Sequence, residues 1–204
     1  MQLHDVILRR RMTRSFDPEP ISYDVIERIL EPGLSSSSDG SSHRAEWLVI
    51  SSDEDRRAFF EAACDVEFLA EPGTMRGLLQ APVVLVPVAD PAAYVRRHAE
   101  ADMTSSALFR LPGSSPSVPY WLVDAAFASM LVLLAAEDEG LGALFFRLHR
   151  PQHDLEERFA IPPGRVFIGA IALGGRASRD PGSGGSPAYR PRRPFGEVVH
   201  RGRW

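Results

Sequence analysis

A single cysteine, Cys64, stands in the 204-residue chain, so no intrachain disulfide can form and nothing indicates an oxidising compartment. No charged-then-apolar signal opens the sequence, and the cytoplasm is the expected location. An excess of either charge is lacking too: Lys and Arg total 23 against 27 Asp and Glu, a net charge of −4. Such a balance offers no general field for nucleic acid or an anionic membrane. There is no GxSxG elbow, no P-loop and no GxGxxG after a strand, which leaves serine hydrolase, phosphate-loop and dinucleotide-fingerprint chemistry without support. His149 and His153 have a helical spacing, but Pro151 between them breaks the shared face and no third ligand is in register, so no metal is expected. Cys64 reads as mid-helix among Ala62, Ala63 and Val66, a small buried side chain rather than a nucleophile. Conventional catalytic side chains are therefore missing, and a cofactor becomes the natural source of chemistry.

What is present is ordinary globular composition, 44% hydrophobic and 25% charged, enough for one sizeable core and a single domain over 1–204. The organising stretch is Val118 to Leu148. From Tyr120 to Ala136 apolar residues fall on every side of the helical wheel, which predicts a helix buried all round, either within its own core or continuing across a subunit interface. Asp124 interrupts the run and Glu137, Asp138, Glu139 and Gly140 close it, so it is expected to be too short to span a bilayer. Gly140-Leu141-Gly142 then releases the chain into a strand at Ala143 to Phe146.

Around that stretch the pattern predicts a brief first helix ending near Thr13 and a helix from Tyr23 to Leu30, capped by Ser22 and stopped by Pro32-Gly33. Ser35 to Ser42 is a polar loop, either a flexible linker or a ligand-contacting turn. Trp47 to Ile50 reads as a buried strand, and Asp53 as the cap of a helix carrying Phe59, Phe60, Ala63 and Val66. Pro82 to Val88 is a second apolar strand, placed at an edge or bulge by Pro87. Pro91 to Met103 reads as an exposed helix, Leu108 to Val118 as a lid-like loop, Pro151 to Phe159 as a short helix, and Val166 to Leu173 as one strand. Ser178 to Pro187 is a low-complexity tether leading to a C-terminal arm, 188–204, whose apolar residues predict a docked tail. Strands alternating with helices indicate an α+β fold of two layers.

Arginines crowd both termini: Arg9, Arg10, Arg11 and Arg14 at the start, Arg190, Arg192, Arg193, Arg201 and Arg203 at the end. They form either two solvated basic surfaces or, if the tail folds back, one anion site. Arg10-Arg11-Met12-Thr13-Arg14-Ser15-Phe16 resembles the N-terminal motif of the nitroreductase family of FMN-dependent oxidoreductases. Further stretches agree in order: Ser37 to Trp47, Glu139 to Gly142, Phe159 to Gly174, and Arg190 to Pro194 with Glu197-Val198-Val199.

The resemblance implies an α+β nitroreductase-like mixed sheet of three-layer character around a buried central helix, and an intertwined homodimer with a domain-swapping arm. It implies FMN as cofactor, NAD(P)H as hydride donor, and a small electrophile of nitroaromatic, quinone or enone type as acceptor. By position it implies that Arg10, Arg11, Met12, Arg14, Arg190 and Arg192 lie at the flavin phosphate, that Ser37, Ser38 and Ser41 contact the ribityl chain and ring, and that Arg147 stands beside the ring. Departures from the family pattern occur at Met12 for Ser, Ser41 for Asn, His43 and Arg44-Ala45 for Gln and Pro-Trp, and Arg147 for a small Gly. They leave open a flavin-free binding or regulatory protein on the same fold.

Overall fold

In the computed structural model the described residues are 2–36, 45–65, 67, 77–101, 118–178 and 193–204. The elements, in chain order, are α1 (Leu3–Arg9), β1 (Phe16–Asp17), α2 (Tyr23–Leu34), β2 (Glu46–Ile50), α3 (Asp53–Ala63), β3 (Val83–Ala89) and α4 (Pro91–His98). There follow α5 (Tyr120–Asp138), β4 (Gly142–Phe146), α6 (Gln152–Arg158), β5 (Val166–Phe167), β6 (Ala170–Arg176) and α7 (Phe195–Val198).

The sheet runs β1-β6-β3-β2, with β4 also on β6 and β5 on β3. Every ladder among the described residues is antiparallel, and the parallel contact is an isolated bridge from Met12 to Ala143. Alternation along β3 divides the core, because successive side chains leave a strand on opposite faces. Val84, Val86 and Val88 pack with Phe59, Phe60 and Leu155 of α3 and α6, whereas Val83 and Leu85 pack with Ile26, Ile29, Val132 and Leu133 of α2 and α5. Helices thus cover both faces, and the two-layer expectation gives way to three layers.

α5 is the longest helix described, and its uniform hydropathy hides one-sided burial. Asp124, Ala125, Ala128, Ser129, Val132, Leu133, Ala136 and Glu137 are buried, a stripe that recurs every turn. The opposite side exposes Tyr120, Phe127 at 55% and Met130 at 47%. The expectation of burial all round is therefore corrected: apolar residues on every face need not all be covered by the same chain. By length and hydropathy this 19-residue helix could cross a membrane, contrary to the sequence reading of it as too short. Its packing against α2, β3 and β4 is that of a core helix.

The other departures have local causes. α1 stops at Arg9, since Met12 and Thr13 turn away to bond β4. α2 runs through Pro32 and Gly33, because Gly33 is buried against α5: a Cβ there would lie 2.7 Å from Val132 Cγ2. Ser52, not Asp53, caps α3, its hydroxyl accepting the Asp55 N–H at 3.1 Å. In β2 only Ile50 is buried. β3, expected at an edge or bulge, is central and buried throughout. Pro87 is tolerated there because it pairs only with Trp47 of β2, while its other side faces the break between β5 and β6. That break divides the expected Val166 to Leu173 strand at Gly169, whose φ of 150° and close approach to the Phe146 carbonyl admit no side chain. α4 ends at His98. The arm residues 193–204 are exposed, Trp204 at 99%, so the expected docked tail is not docked on its own chain.

Candidate functional site

The basic N-terminal segment crosses the end of the sheet where β4 begins. Arg10 is the C-cap of α1, its N–H bonded to the Val6 carbonyl at 2.9 Å. Arg11 turns back on the helix, donating from Nη1 to the carbonyls of Leu8 at 2.7 Å and Arg10 at 3.0 Å. Its guanidinium thereby answers the free carbonyls and the negative pole of the helix end. Met12 bridges to Ala143 and packs its side chain toward the α2–α5 core. Thr13 is buried, and its N–H reaches the Ala143 carbonyl at 3.0 Å. Arg14 is half-buried, its carbonyl pressed on Gly77, where a Cβ would come within 2.6 Å.

Within this basic segment Arg10 differs from Arg11 in its guanidinium. Its Nη1 is buried and has no hydrogen-bond partner. A charged N–H shielded from water without an acceptor is costly, so the position calls for an acceptor oxygen. A dianionic phosphate fits that donor, since guanidinium forks match phosphate oxygens in both charge and geometry.

Arg147 follows β4 at its far end and is exposed. Four residue steps along the strand separate it from Ala143, about 13 Å. Ala45 and Glu46, where the chain emerges from 37–44, lie at the Arg147 end of the sheet, because Glu46 pairs with Val88, Val88 with Phe167, and Phe146 with Ala170. Ser37, Ser38, Ser41, Arg190, Arg192 and most of the Leu108–Val118 loop lie outside the described residues. Of the ten sequence-predicted site residues, Arg10, Arg11, Met12 and Arg14 share one segment with their side chains differently engaged, and Arg147 stands apart at the other end of one strand.

The remaining chemistry-bearing groups are engaged elsewhere. His149 Nδ1 lies 3.9 Å from Asp65, and His153 Nε2 lies 2.9 Å from Asp154, so the two imidazoles face different carboxylates. Cys64 is the C-cap of α3 rather than mid-helix. Burial, reinforced by Asp65, pushes its thiol up to about 12. At the Arg147 end, Asp90 caps α4 through the Ala93 N–H at 3.0 Å and accepts Arg165 at 2.7 Å, while Arg165 also reaches Glu46 at 3.2 Å. Burial opposes the Asp90 charge, but the Ala93 and Ala92 N–H groups with Arg165 and Arg96 outweigh it and hold the carboxyl below its usual range.

Sequence reasoning missed Thr13, Gly142 and the ion pair of the buried Glu137 with the exposed Arg176, 2.5 Å apart. Gly142 was legible only as a turn residue. No local pattern signals an ion pair between residues 39 positions apart.

The nitroreductase family model matches residues 7–175, and the chain belongs to the nitroreductase family; it is an oxidoreductase. An NADPH-dependent oxidoreductase of Staphylococcus aureus is 25% identical over 204 residues, spanning 99% of this chain and 74% of that protein. Among solved structures, a nitroreductase family protein of Clostridium difficile superposes with a TM-score of 0.72 over the whole of both chains at 14% identity. Nitroreductase A of Vibrio parahaemolyticus gives 0.70 at 24% identity, over 100% of this chain and 77% of that one.

Proposed function

We propose that this oxidoreductase binds FMN, takes hydride from NADPH or NADH, and reduces a small electrophile of nitroaromatic, quinone or enone type. The observation that carries the reading is the buried, unpartnered Nη1 of Arg10, in a family that is generally flavin-dependent. NADPH is the first donor to try, given the S. aureus relative.

When bound, the flavin supplies the hydride chemistry at its N5 atom. The chain's own residues bind and orient. Arg10 and Arg14, with Arg190 and Arg192 of the arm, hold the phosphate; Arg11 is committed to the helix end and Met12 to the core, so they shape the segment rather than contact the anion. Ser37, Ser38 and Ser41 hold the ribityl chain and ring, and Arg147 meets the ring edge at the other end of β4. Phosphate and ring are themselves separated by the ribityl chain, which agrees with cations at the two ends of one strand.

A homodimer completes the proposal. It is supported by the exposed stripe of Tyr120, Phe127 and Met130 on α5, by Leu3, Ile7 and Leu8 exposed on α1, and by the uncovered apolar residues Phe195, Val198, Val199 and Trp204 of the arm. Exposed apolar side chains on three elements are the kind of surface that subunit contacts cover.

The test replaces Arg10 and Arg192 together by alanine. Each phosphate contact is worth about 1.5–3 kcal/mol, so the double variant should lose flavin on purification. Full flavin occupancy in that variant would refute the phosphate assignment.

A further inference from the structure

Arg10 can offer its guanidinium to an anion only if the backbone behind it is fixed, and α1 is poorly suited to fix it. The helix has seven residues with only Val6 buried, and Leu3, Ile7 and Leu8 are exposed. The geometry points to Gly142 and Thr13, backed by Arg176 and Glu137, as positioning residues for the Arg10 donor. This rests on the reading of Arg10 as the phosphate contact.

Thr13 is bonded to β4 through its N–H and buried directly over Gly142. A Cβ built on Gly142 would meet Thr13 Oγ1 at 2.6 Å, Thr13 Cγ2 at 2.8 Å and Arg176 Cγ at 2.9 Å. No side chain fits there unless Thr13 or Arg176 moves. Arg176 is restrained in turn: Nη2 bonds the buried Glu137 carboxylate at 2.5 Å, and Nη1 donates to the Gly140 carbonyl at 3.2 Å. Arg176 also pairs with Phe16 across β1 and β6, tying down the far side of the same segment. The bare Cα of Gly142 is thus a seat, Thr13 fills it, and the Glu137–Arg176 pair closes one wall. Arg10 stands three residues from Thr13, so displacing Thr13 displaces the guanidinium without touching any residue that would contact the ring.

The readout is the ratio of FMN to riboflavin affinity, because riboflavin lacks the phosphate and reports everything except the Arg10 contact. Flavin dissociation constants are measured by fluorescence quenching for the full chain and variants, with folding checked by circular dichroism. Wild type should prefer FMN. Gly142→Ala should weaken FMN by about ten- to a hundred-fold, the worth of one or two charge-assisted contacts, and leave riboflavin unchanged. Adding Thr13→Ala, which removes the two nearest of the three atoms the new methyl meets and leaves Arg176 Cγ, should restore most of the preference. If Gly142→Ala does not fold, Glu137→Gln removes the charge that holds Arg176 Nη2 while keeping the side-chain shape, and it should lower the same ratio to a smaller degree. Parallel losses of FMN and riboflavin, or an undiminished preference in the folded variant, would overturn the positioning role alone. A wild type that does not prefer FMN would instead overturn the phosphate reading beneath it.

Discussion

Replacing Gly33 by alanine should destabilise this protein, although the same change on an open helix surface would stabilise it. Alanine in place of glycine inside a helix is favoured by about 1 kcal/mol through backbone entropy and intrinsic propensity. At Gly33 that gain is opposed, because the new Cβ would stand 2.7 Å from Val132 Cγ2, 3.2 Å from the Ala128 carbonyl and 3.4 Å from the Trp47 ring. The carbonyl belongs to the α5 backbone and cannot rotate away, so α2 must back off along its whole contact with α5. Overpacking of this degree costs about 1–3 kcal/mol. The net expectation is a loss of up to about 2 kcal/mol, read as a lower urea midpoint at unchanged slope. Val132→Ala alone should cost about 1.5–3 kcal/mol as a buried truncation. Combined, the two should cost less than their sum by about 0.5 kcal/mol or more, since the truncation clears space for the added methyl. A Gly33→Ala protein more stable than wild type would show that the two helices are not in close contact, and would remove the reason given for α2 continuing past Pro32.

Cys64 should be silent toward a thiol-disulfide reagent at pH 8. With its thiol pushed up to about 12, only about one molecule in ten thousand carries the thiolate there, so full labelling should wait for unfolding. Asp90→Asn should lower stability at pH 7 by about 1.5–3 kcal/mol through the lost charge-assisted bond to Arg165. The folded carboxyl lies below its unfolded value, so its contribution is present above the unfolded value and is lost as pH falls through the folded one. The difference between wild type and variant, followed by urea unfolding against pH, should therefore shrink in acid. Met130→Glu, with Phe127→Glu as a second probe, places charge on the exposed stripe of α5 and should shift the sedimentation profile of the proposed dimer toward monomer; an unchanged dimer in both would place its interface elsewhere, and a wild-type monomer would remove the proposed dimer.

What the sequence disclosed was largely what a period or a breaker can encode. The apolar run of α5, the Gly-Leu-Gly turn and β4 all follow from local pattern. Which side of α5 is buried does not, because apolar residues lie on all its faces and only the partners distinguish Val132 from Met130. Pro87 and Pro32 misled for a common reason: each breaks a local rule at a place where tertiary packing, or a gap in the neighbouring strand, removes most of the penalty. Gly169 was passed over as part of a strand because a φ of 150° is invisible in composition. At the site, the basic segment was legible as chemistry but not as geometry. Four residues with similar credentials proved to do different things, Arg11 closing a helix and Met12 packing inward while Arg10 kept a donor unspent.

The most direct measurement is the visible absorption spectrum of the protein as isolated, again after excess FMN, and then after anaerobic addition of NADPH and of NADH. The protein should be yellow, or become yellow with FMN, and its flavin band should be bleached by a nicotinamide and return when a quinone or nitroaromatic acceptor is added. A colourless protein that takes up no added FMN would contradict the proposed function, and would favour a family member that keeps the fold and serves as a binding or regulatory protein.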